Sequence, residues 1–416
     1  MKRYLVTATD IENNLKDLSQ VVFDVTQKCN LRCKYCIYSG MYEGFESSRS
    51  TDLPVEMAFG LLDYLFDIWK KDAYGLSRTT NIGFFGGEPL LNFHLIEAIV
   101  TKTQSEAVNV GRKFNYSMTT NAVLLPKYMD FIVKHNFDLL ISLDGDFNHN
   151  SLRIDALGKS SFSRVFDAVH LLKTQYPEYF TKRVSFNTVI SSNTNIDDLL
   201  SFFLSNFGKT PGLSQINSTG IKPEKRDAFQ SLYLSKDECM ATSCNGWASH
   251  KTLFMESPEI RRYANYIFGS SGNVFTTYND LFIDRATVPI VPTGTCIPFA
   301  KKLFLSATGK ILQCEKIDHE YCAGTVSANG DVNLDCVKIA NTFNNHITSF
   351  SKLCRTCTHR LACTQCLYQS NDYRSGLICS AFSTSVQRDK ALEALGDSLR
   401  KHPEIYQEII DRVTLY

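Results

Sequence analysis

Cysteine placement constrains this chain more than any other feature. Three of its 14 cysteines fall between Cys29 and Cys36, none follows for about two hundred residues, and eleven lie between Cys239 and Cys379. The N-terminal segment MKRYLVTATDIENN has only a short apolar stretch, and no later window resembles a membrane span. Nothing therefore directs the chain to an oxidising compartment where disulfides persist, and metal binding or catalysis is the better reading of the thiols. A cytoplasmic, soluble protein is expected. Lys plus Arg at 44 against Asp plus Glu at 43 leaves a net charge of +1, without the basic excess of a nucleic-acid binder. With 44% apolar and 21% charged residues over 416 positions, the chain reads as a globular protein of two or three domains.

From Gln20 to about Ser218, short apolar β-rich runs alternate with amphipathic helical stretches, the pattern of parallel βα units. The expected strands are Gln20–Asp24, Thr80–Phe85, Phe114–Thr119, Asp138–Leu143, Arg183–Ile190 and Leu213–Asn217. The clearest helix is 54–70, with Asp52 as its expected N-cap and Met57, Leu61, Leu62, Leu65 and Trp69 at helical spacing. Successive right-handed units curl a sheet, so the expected fold class is α/β, a partial (βα)6 parallel barrel, with an open doubly wound sheet as its rival. A bridge over 219–291 follows. Hairpin-like segments around Ala-Thr-Gly and Ala-Asn-Gly then mark a small cysteine-rich β-hairpin domain over 292–381, and 382–416 reads as one terminal helix.

Cys29, Cys33 and Cys36 form C-x3-C-x2-C in KCNLRCKYC, directly after the first strand. Three thiolates can hold three irons of a 4Fe-4S cluster and leave the fourth without a protein ligand. The segment resembles the radical S-adenosylmethionine superfamily, whose signature carries an aromatic before the last cysteine, here Tyr35. The resemblance implies that S-adenosylmethionine binds the open iron and that its reductive cleavage gives a hydrogen-abstracting 5'-deoxyadenosyl radical. It extends to further cofactor-binding candidates in strand order. Gly86, Gly87, Glu88 and Pro89 resemble the GGEP motif, and Thr120-Asn121 resembles the TNG turn with Ala122 in place of glycine. Ser142 and Asp144 in ISLDG stand where relatives contact the ribose and methionine parts of the cofactor. Arg153 begins a stretch like R-(few residues)-G-x-x-SF, implying a carboxylate contact, and Asn187 on the fifth strand points into the barrel or fills a polar core position.

The later cysteines resemble a SPASM domain: Cys296-x12-Gly309-x4-Cys314, then Cys354-x2-Cys357-x5-Cys363-x2-Cys366, then Cys379. One spacing departs, since the family has three residues where two separate Cys363 from Cys366. Carried over, Cys354, Cys357, Cys363 and Cys379 hold one auxiliary 4Fe-4S cluster, and Cys296, Cys314 and Cys366 hold another that lacks a fourth ligand. Cys322 and Cys336 are the candidates to fill it, and a substrate thiolate is the third possibility.

The resemblance implies three clusters and an oxidoreductase that matures a ribosomally made peptide by a thioether or carbon-carbon crosslink. The alternative is an anaerobic sulfatase maturase, which forms formylglycine. That group carries an Asp base directly after the cysteine equivalent to Cys314, where this chain has Glu315, the catalytic candidate. A non-catalytic zinc-binding scaffold is a further reading. Expected partners are a precursor peptide, a flavodoxin or ferredoxin-type electron donor, and a separate leader-peptide-binding protein, because the 28 residues before Cys29 leave no room for a recognition domain. Nucleic acid and membrane are not expected. The substrate is expected at the C-terminal strand ends, where Gly86, Asn121 and Asp144 lie.

Overall fold

Gln20–Thr26 (β1) is followed by five more strands, each reached through a helical crossover: Arg78–Gly86 (β2), Arg112–Thr120 (β3), Asp138–Ser142 (β4), Val184–Ile190 (β5) and Gly212–Gln215 (β6). The structure is a computed structural model and describes residues 5–43, 50–71, 78–218, 220–270, 294–358, 363, 365–369, 371–372, 376–377, 379 and 382–412. All six strands run parallel in the order β1-β2-β3-β4-β5-β6. A doubly wound sheet would reverse direction at a switch point. Here each unit adds its strand on the same side as the last, which curls the sheet into an unclosed partial barrel.

Five crossover helices cover the outer face: α2 (Val55–Lys70), α3 (Phe93–Glu106), α4 (Leu125–Lys134), α5 (Phe162–Gln175) and α7 (Ile196–Phe207), with α1 (Ala8–Lys16) before the barrel and the short α6 (Pro177–Arg183) beside α5. Val21, Phe23 and Val25 of β1, Ile82 and Phe84 of β2, and Ile141 of β4 are buried in one cluster with Leu61 and Leu65 of α2 and Phe203 of α7. Burial of each such side chain contributes about 1.5–3 kcal/mol. The 54–70 helix forms, but its expected cap does not. Pro54 occupies the N-cap position without a side-chain bond. Asp52 instead accepts from Thr26 Oγ1 at 2.5 Å and Lys28 Nζ at 2.6 Å. The carboxylate finds stronger donors across the strand end than a helix N-terminus supplies.

Residues facing the other way are mostly polar. Side chains alternate along a strand, and in-register residues share a face. The pairings put Gln20 with Asn81, Val22 with Gly83 and Ser117, Thr119 with Leu140 and Ser185, and Ser142 with Asn187 on the inner surface. Asn81 Oδ1 accepts from both Gln20 Nε2 (3.4 Å) and Ser117 Oγ (2.7 Å), and Asn187 Oδ1 accepts from Ser214 Oγ (2.7 Å). A closed (βα)8 barrel fills its interior with branched apolar layers. This one keeps a polar wall.

The bridge contributes α8 (Arg226–Leu232), α9 (Lys236–Ala241), α10 (Trp247–Leu253) and α11 (Pro258–Ser270), and its remainder from 271 lies outside the described residues. Both expected hairpins form, as β7 (Lys302–Leu305) with β8 (Lys310–Leu312) and β9 (Gly324–Val326) with β10 (Val332–Leu334). They are continuous with the barrel, because β7 pairs parallel to β1 from Gln20–Lys302 to Phe23–Leu305, giving a ten-stranded sheet. Then come α12 (Cys336–Ser349) and α13 (Ser351–Thr356), and a two-residue ladder pairs β11 (Asn371–Asp372) with β12 (Gly376–Leu377). The expected single terminal helix is two, α14 (Ser385–Lys401) and α15 (Pro403–Arg412). Pro403 ends the first, since it lacks an N–H and disfavours helical geometry in the residue before it. Ile405 and Ile409 of α15 are buried against Phe254, Ile260 and Tyr263. No described helix is long and apolar enough to cross a membrane.

Candidate active site

The C-terminal ends of β1, β2 and β3 are knitted together before any cysteine is reached. Gly87 N donates to Thr26 O at 2.7 Å and Glu88 N to Lys28 O at 2.9 Å. A Cβ on Gly86 would lie 2.3 Å from Thr26 O, and one on Gly87 2.3 Å from Lys28 O. Only glycine permits that approach, and Gly86 also has φ of +145°. Glu88 is fully buried, and its carboxylate joins two strand ends, accepting from Thr120 Oγ1 (2.7 Å), Asn121 N (2.7 Å) and Leu90 N (3.2 Å). Burial pushes its pKa up to about 7 against the pull of those donors.

The loop leaving β1 carries Cys29, Cys33 and Cys36. It docks on the segment around Arg153, with Arg32 N donating to Ile154 O (2.5 Å) and Lys34 N to Leu152 O (3.0 Å). Leu31 N lies 3.4 Å and Asn121 Nδ2 3.9 Å from Cys29 Sγ. Asn121 Nδ2 also donates to Asn30 Oδ1 at 2.7 Å, and Ala122, where the motif has glycine, takes φ of +60°. Burial pushes the Cys33 thiol up to about 12, opposed by Arg153 and assisted by Cys36, Asp144 and Cys29. The three thiols thus lie within electrostatic reach of one another.

Docking of that loop completes a buried triad. Tyr35 donates its hydroxyl to Asp144 Oδ2 at 2.5 Å. Arg153 pairs with the same carboxylate, Nη2 3.0 Å from Oδ1 and Nε 3.0 Å from Oδ2, and its guanidinium lies 5.5 Å from the Tyr35 ring centroid. Val189 N of β5 adds a donor to Asp144 Oδ1 at 2.9 Å. Asp144 is 2% and Arg153 6% exposed, so an ion pair takes the place of solvent here. Burial and the Asp144 charge push the Tyr35 hydroxyl up, with Arg153 opposing. Sequence reading found all three residues but not their mutual contact, which spans 109 positions between Tyr35 and Asp144.

A cavity of about 400 Å3 opens on the polar inner face, lined in part by Gln20, Ser117, Thr119, Ser185, Lys302 and Glu315. Glu315 accepts from Lys302 Nζ at 2.9 and 3.1 Å. Burial alone would raise its pKa, but the Lys302 charge prevails and holds the carboxyl below its ordinary range. Lys302 pairs with Gln20, the first residue of β1, so Glu315 lies at the N-terminal end of the barrel strands. The cysteine loop begins at the other end, one strand length of about 20 Å away. Sequence reading missed Lys302, although a lysine opening the otherwise apolar run KLFL is a signal for it. It also missed Asp24, a wholly buried carboxyl in QVVFDVT. Asp24 Oδ2 accepts from Ala307 N at 3.2 Å, Oδ1 has no hydrogen-bond partner among the described residues, and burial pushes the group up to about 7.

Among the later cysteines, Cys354 is raised by burial and then by Cys363, Cys379 and Cys357, which places those four in one neighbourhood. Cys296 and Cys366 are brought side by side by their flanks: Gly294 N donates to Gln365 O (3.0 Å) and Leu367 N to Thr295 Oγ1 (2.9 Å). All 14 cysteines are thiols. Among the described residues, no three His, Cys, Asp or Glu side chains are drawn to a common point at metal-ligand distances. The donor chemistry nonetheless fits iron-sulfur ligation, with soft thiols grouped in threes and fours and N–H groups close to the Cys29 sulfur.

Comparison with known proteins agrees with this geometry. Residues 23–204 match the Radical SAM superfamily. The chain is 27% identical over 174 residues to the radical SAM cyclopropyl synthase TigE of Paramaledivibacter caminithermalis, covering 41% of this chain and 35% of that protein. It is 29% identical over 202 residues to the cysteine-type anaerobic sulfatase-maturating enzyme of Clostridium novyi, covering 45% and 48%. These matches span between about a third and a half of each relative's length. A solved structure of native anSMEcpe with bound AdoMet and Cp18Cys peptide superposes with a TM-score of 0.64 at 17% identity, covering 95% of this chain and 99% of that one, a likeness of fold. Residues 23–204 are therefore a radical SAM domain.

Proposed function

We propose that the chain is a peptide maturase that removes two hydrogens from a ribosomally made peptide and closes a thioether or carbon-carbon crosslink. The observation that carries this reading is Glu315, clamped by Lys302 on the wall of the polar cavity, across the barrel from the Cys29–Cys36 loop. In this reading Cys29, Cys33 and Cys36 hold the radical-generating cluster. Tyr35, the glycines of the Gly86-Gly87-Glu88 segment and Asn121 shape its surroundings, and Arg153 and Asp144 form a polar wall beside it. Ser142 and Asn187 supply polar groups on the inner face. A cluster held by Cys29, Cys33 and Cys36, with S-adenosylmethionine bound, would supply the radical chemistry that removes one hydrogen atom from a substrate carbon. The substrate must then lose one further electron, which an auxiliary cluster held by the C-terminal cysteines would accept, and one proton, which Glu315 accepts. A base at the N-terminal strand ends requires the reacting residue to enter the barrel, beyond the mouth where the sequence led us to expect it. A volume of about 400 Å3 suits one or two side chains rather than a folded domain.

Formylglycine formation is the second reading. Two features favour it: the relationship to the Clostridium sulfatase-maturating enzymes, and a carboxylate directly after Cys314, as Glu315 rather than Asp. Mass spectrometry of a co-expressed neighbouring-gene peptide separates the two. Loss of two hydrogens with an alkylation-resistant cysteine supports a thioether, and the same loss with every thiol alkylatable supports carbon-carbon coupling. Conversion of a sulfatase Cys or Ser to formylglycine, with no action on the peptide, overturns the crosslinking reading.

A further inference from the structure

We propose that Cys322 is the fourth protein ligand of the cluster assigned to Cys296, Cys314 and Cys366, so that this cluster has no iron open to substrate. The inference rests on the reading that the C-terminal cysteines hold iron-sulfur clusters. Four contacts converge on it. First, β8 and β9 are antiparallel with Ile311 opposite Gly324, and Ala323 N donates to Ile311 O at 2.8 Å. That ladder ends at Ile311 and Gly324, and the chain between them, 312–323, returns as one loop that carries Cys314 and Cys322 near its two ends. Gln313 and Cys322 indeed line the same cavity of about 190 Å3, together with Pro298 and Tyr368. Second, the hydrogen bonds from Gly294 to Gln365 and from Leu367 to Thr295 hold Cys296 beside Cys366. Third, Tyr321, next to Cys322, meets Tyr368, two residues after Cys366, with ring centroids 4.5 Å apart. Fourth, Cys314 packs in one apolar cluster with both tyrosines. This loop and the Cys296–Cys366 pair are thereby joined.

The rival candidate lies elsewhere. Cys336 heads α12, and its thiol interacts with Glu12 of α1 and Asp335, beside Tyr64 of α2. The Cys322 thiol at present donates to Gly324 O at 2.8 Å, a bond within its own loop that a single side-chain rotation releases. A cluster with four protein thiolates cannot bind a substrate thiolate by simple addition. It can only accept or pass an electron, which leaves the substrate proton to Glu315.

The test uses the full chain with Cys29, Cys33 and Cys36 all replaced by Ala, so that only auxiliary clusters form on anaerobic reconstitution. This parent should hold about eight irons, about four for each auxiliary cluster. Iron and sulfide content and the electron paramagnetic resonance of the reduced protein, with and without imidazole, are measured for the parent and for added Cys322→Ala, Cys322→Ser or Cys336→Ala. Cys322→Ala should fall to about four irons, or keep about eight with a spectrum that now moves on adding imidazole. Cys322→Ser, which keeps the side-chain volume should the alanine variant misfold, should show altered g-values, and Cys336→Ala should match the parent. An unchanged, imidazole-insensitive spectrum in both Cys322 variants, or a loss in Cys336→Ala instead, overturns the assignment. A parent with eight irons and an imidazole-sensitive spectrum also overturns it while upholding auxiliary clusters. A parent with no iron refutes the cluster reading itself.

Discussion

Replacing Asp144 by Asn tests whether the buried triad holds the cysteine loop as its geometry indicates. Asp144 is the single carboxylate facing Arg153 in that contact, and both are almost completely withdrawn from water. Asn keeps the shape and an acceptor for Val189 N but removes the negative charge, leaving a buried guanidinium uncompensated. Breaking such a pair from one side costs about 3–5 kcal/mol. In a domain of this size that corresponds to a fall in melting temperature on the order of 5 to 10 °C. Anaerobic thermal denaturation of the wild type and the variant measures it. The double variant Asp144→Leu with Arg153→Met should recover most of the loss, because desolvation of the pair offsets much of its attraction. A melting point within about 1 °C of wild type for Asp144→Asn, or a double variant as unstable as the sum of the two single changes, refutes the reasoning.

Glu315→Gln should lower product formation about 100-fold or more while 5'-deoxyadenosine is still released, and Glu315→Asp should retain part of the activity. Loss of 5'-deoxyadenosine along with product would move Glu315 out of the proton-transfer role. Asp24 titrates near 7 in the folded chain against an ordinary value near 3.8. The unfolded chain therefore releases this proton first, and the wild type loses stability at this site as pH rises from about 4 to about 7, on the order of 1.4 kcal/mol per unit. Asp24→Asn should be increasingly stable relative to wild type over that range and level off above it. A difference in urea midpoint that is flat with pH from 4 to 8 would remove Asp24 as the source.

Local signals made the barrel legible. QVVFD, TNIGFF and FNYSMT carry β-rich cores. In the structure β1 runs two residues further at its C-terminal end, and β2 and β3 run two further at the N-terminal and one at the C-terminal end, whereas β4 ends one residue sooner and β5 begins one later than expected. Gly86 and Gly87 were readable as a motif, and the reason for them emerged only once β2 lay against Lys28. What stayed hidden depended on residues distant in sequence. The parallel pairing of β7 with β1 joins residues some 280 positions apart, and no turn chemistry announces it. Asp52 stood at a proper capping position, yet the tertiary donors Thr26 and Lys28 claimed it. Arg112 lies two residues before the expected start of the third strand at Phe114, and no local signal marks it. It is buried, donating to Thr80 Oγ1 at 2.8 Å with its guanidinium 4.1 Å from the Trp69 ring centroid, a position only the assembled α2 and β3 create.

Reductive cleavage of S-adenosylmethionine by the anaerobically reconstituted chain tests the central claim most directly. Under dithionite the wild type should release 5'-deoxyadenosine and methionine. The variant with Cys29, Cys33 and Cys36 replaced by Ala should release neither while remaining folded and retaining about eight of about twelve irons. Cleavage at the wild-type rate by that variant would contradict the assignment of the loop after β1 as the place where the radical arises.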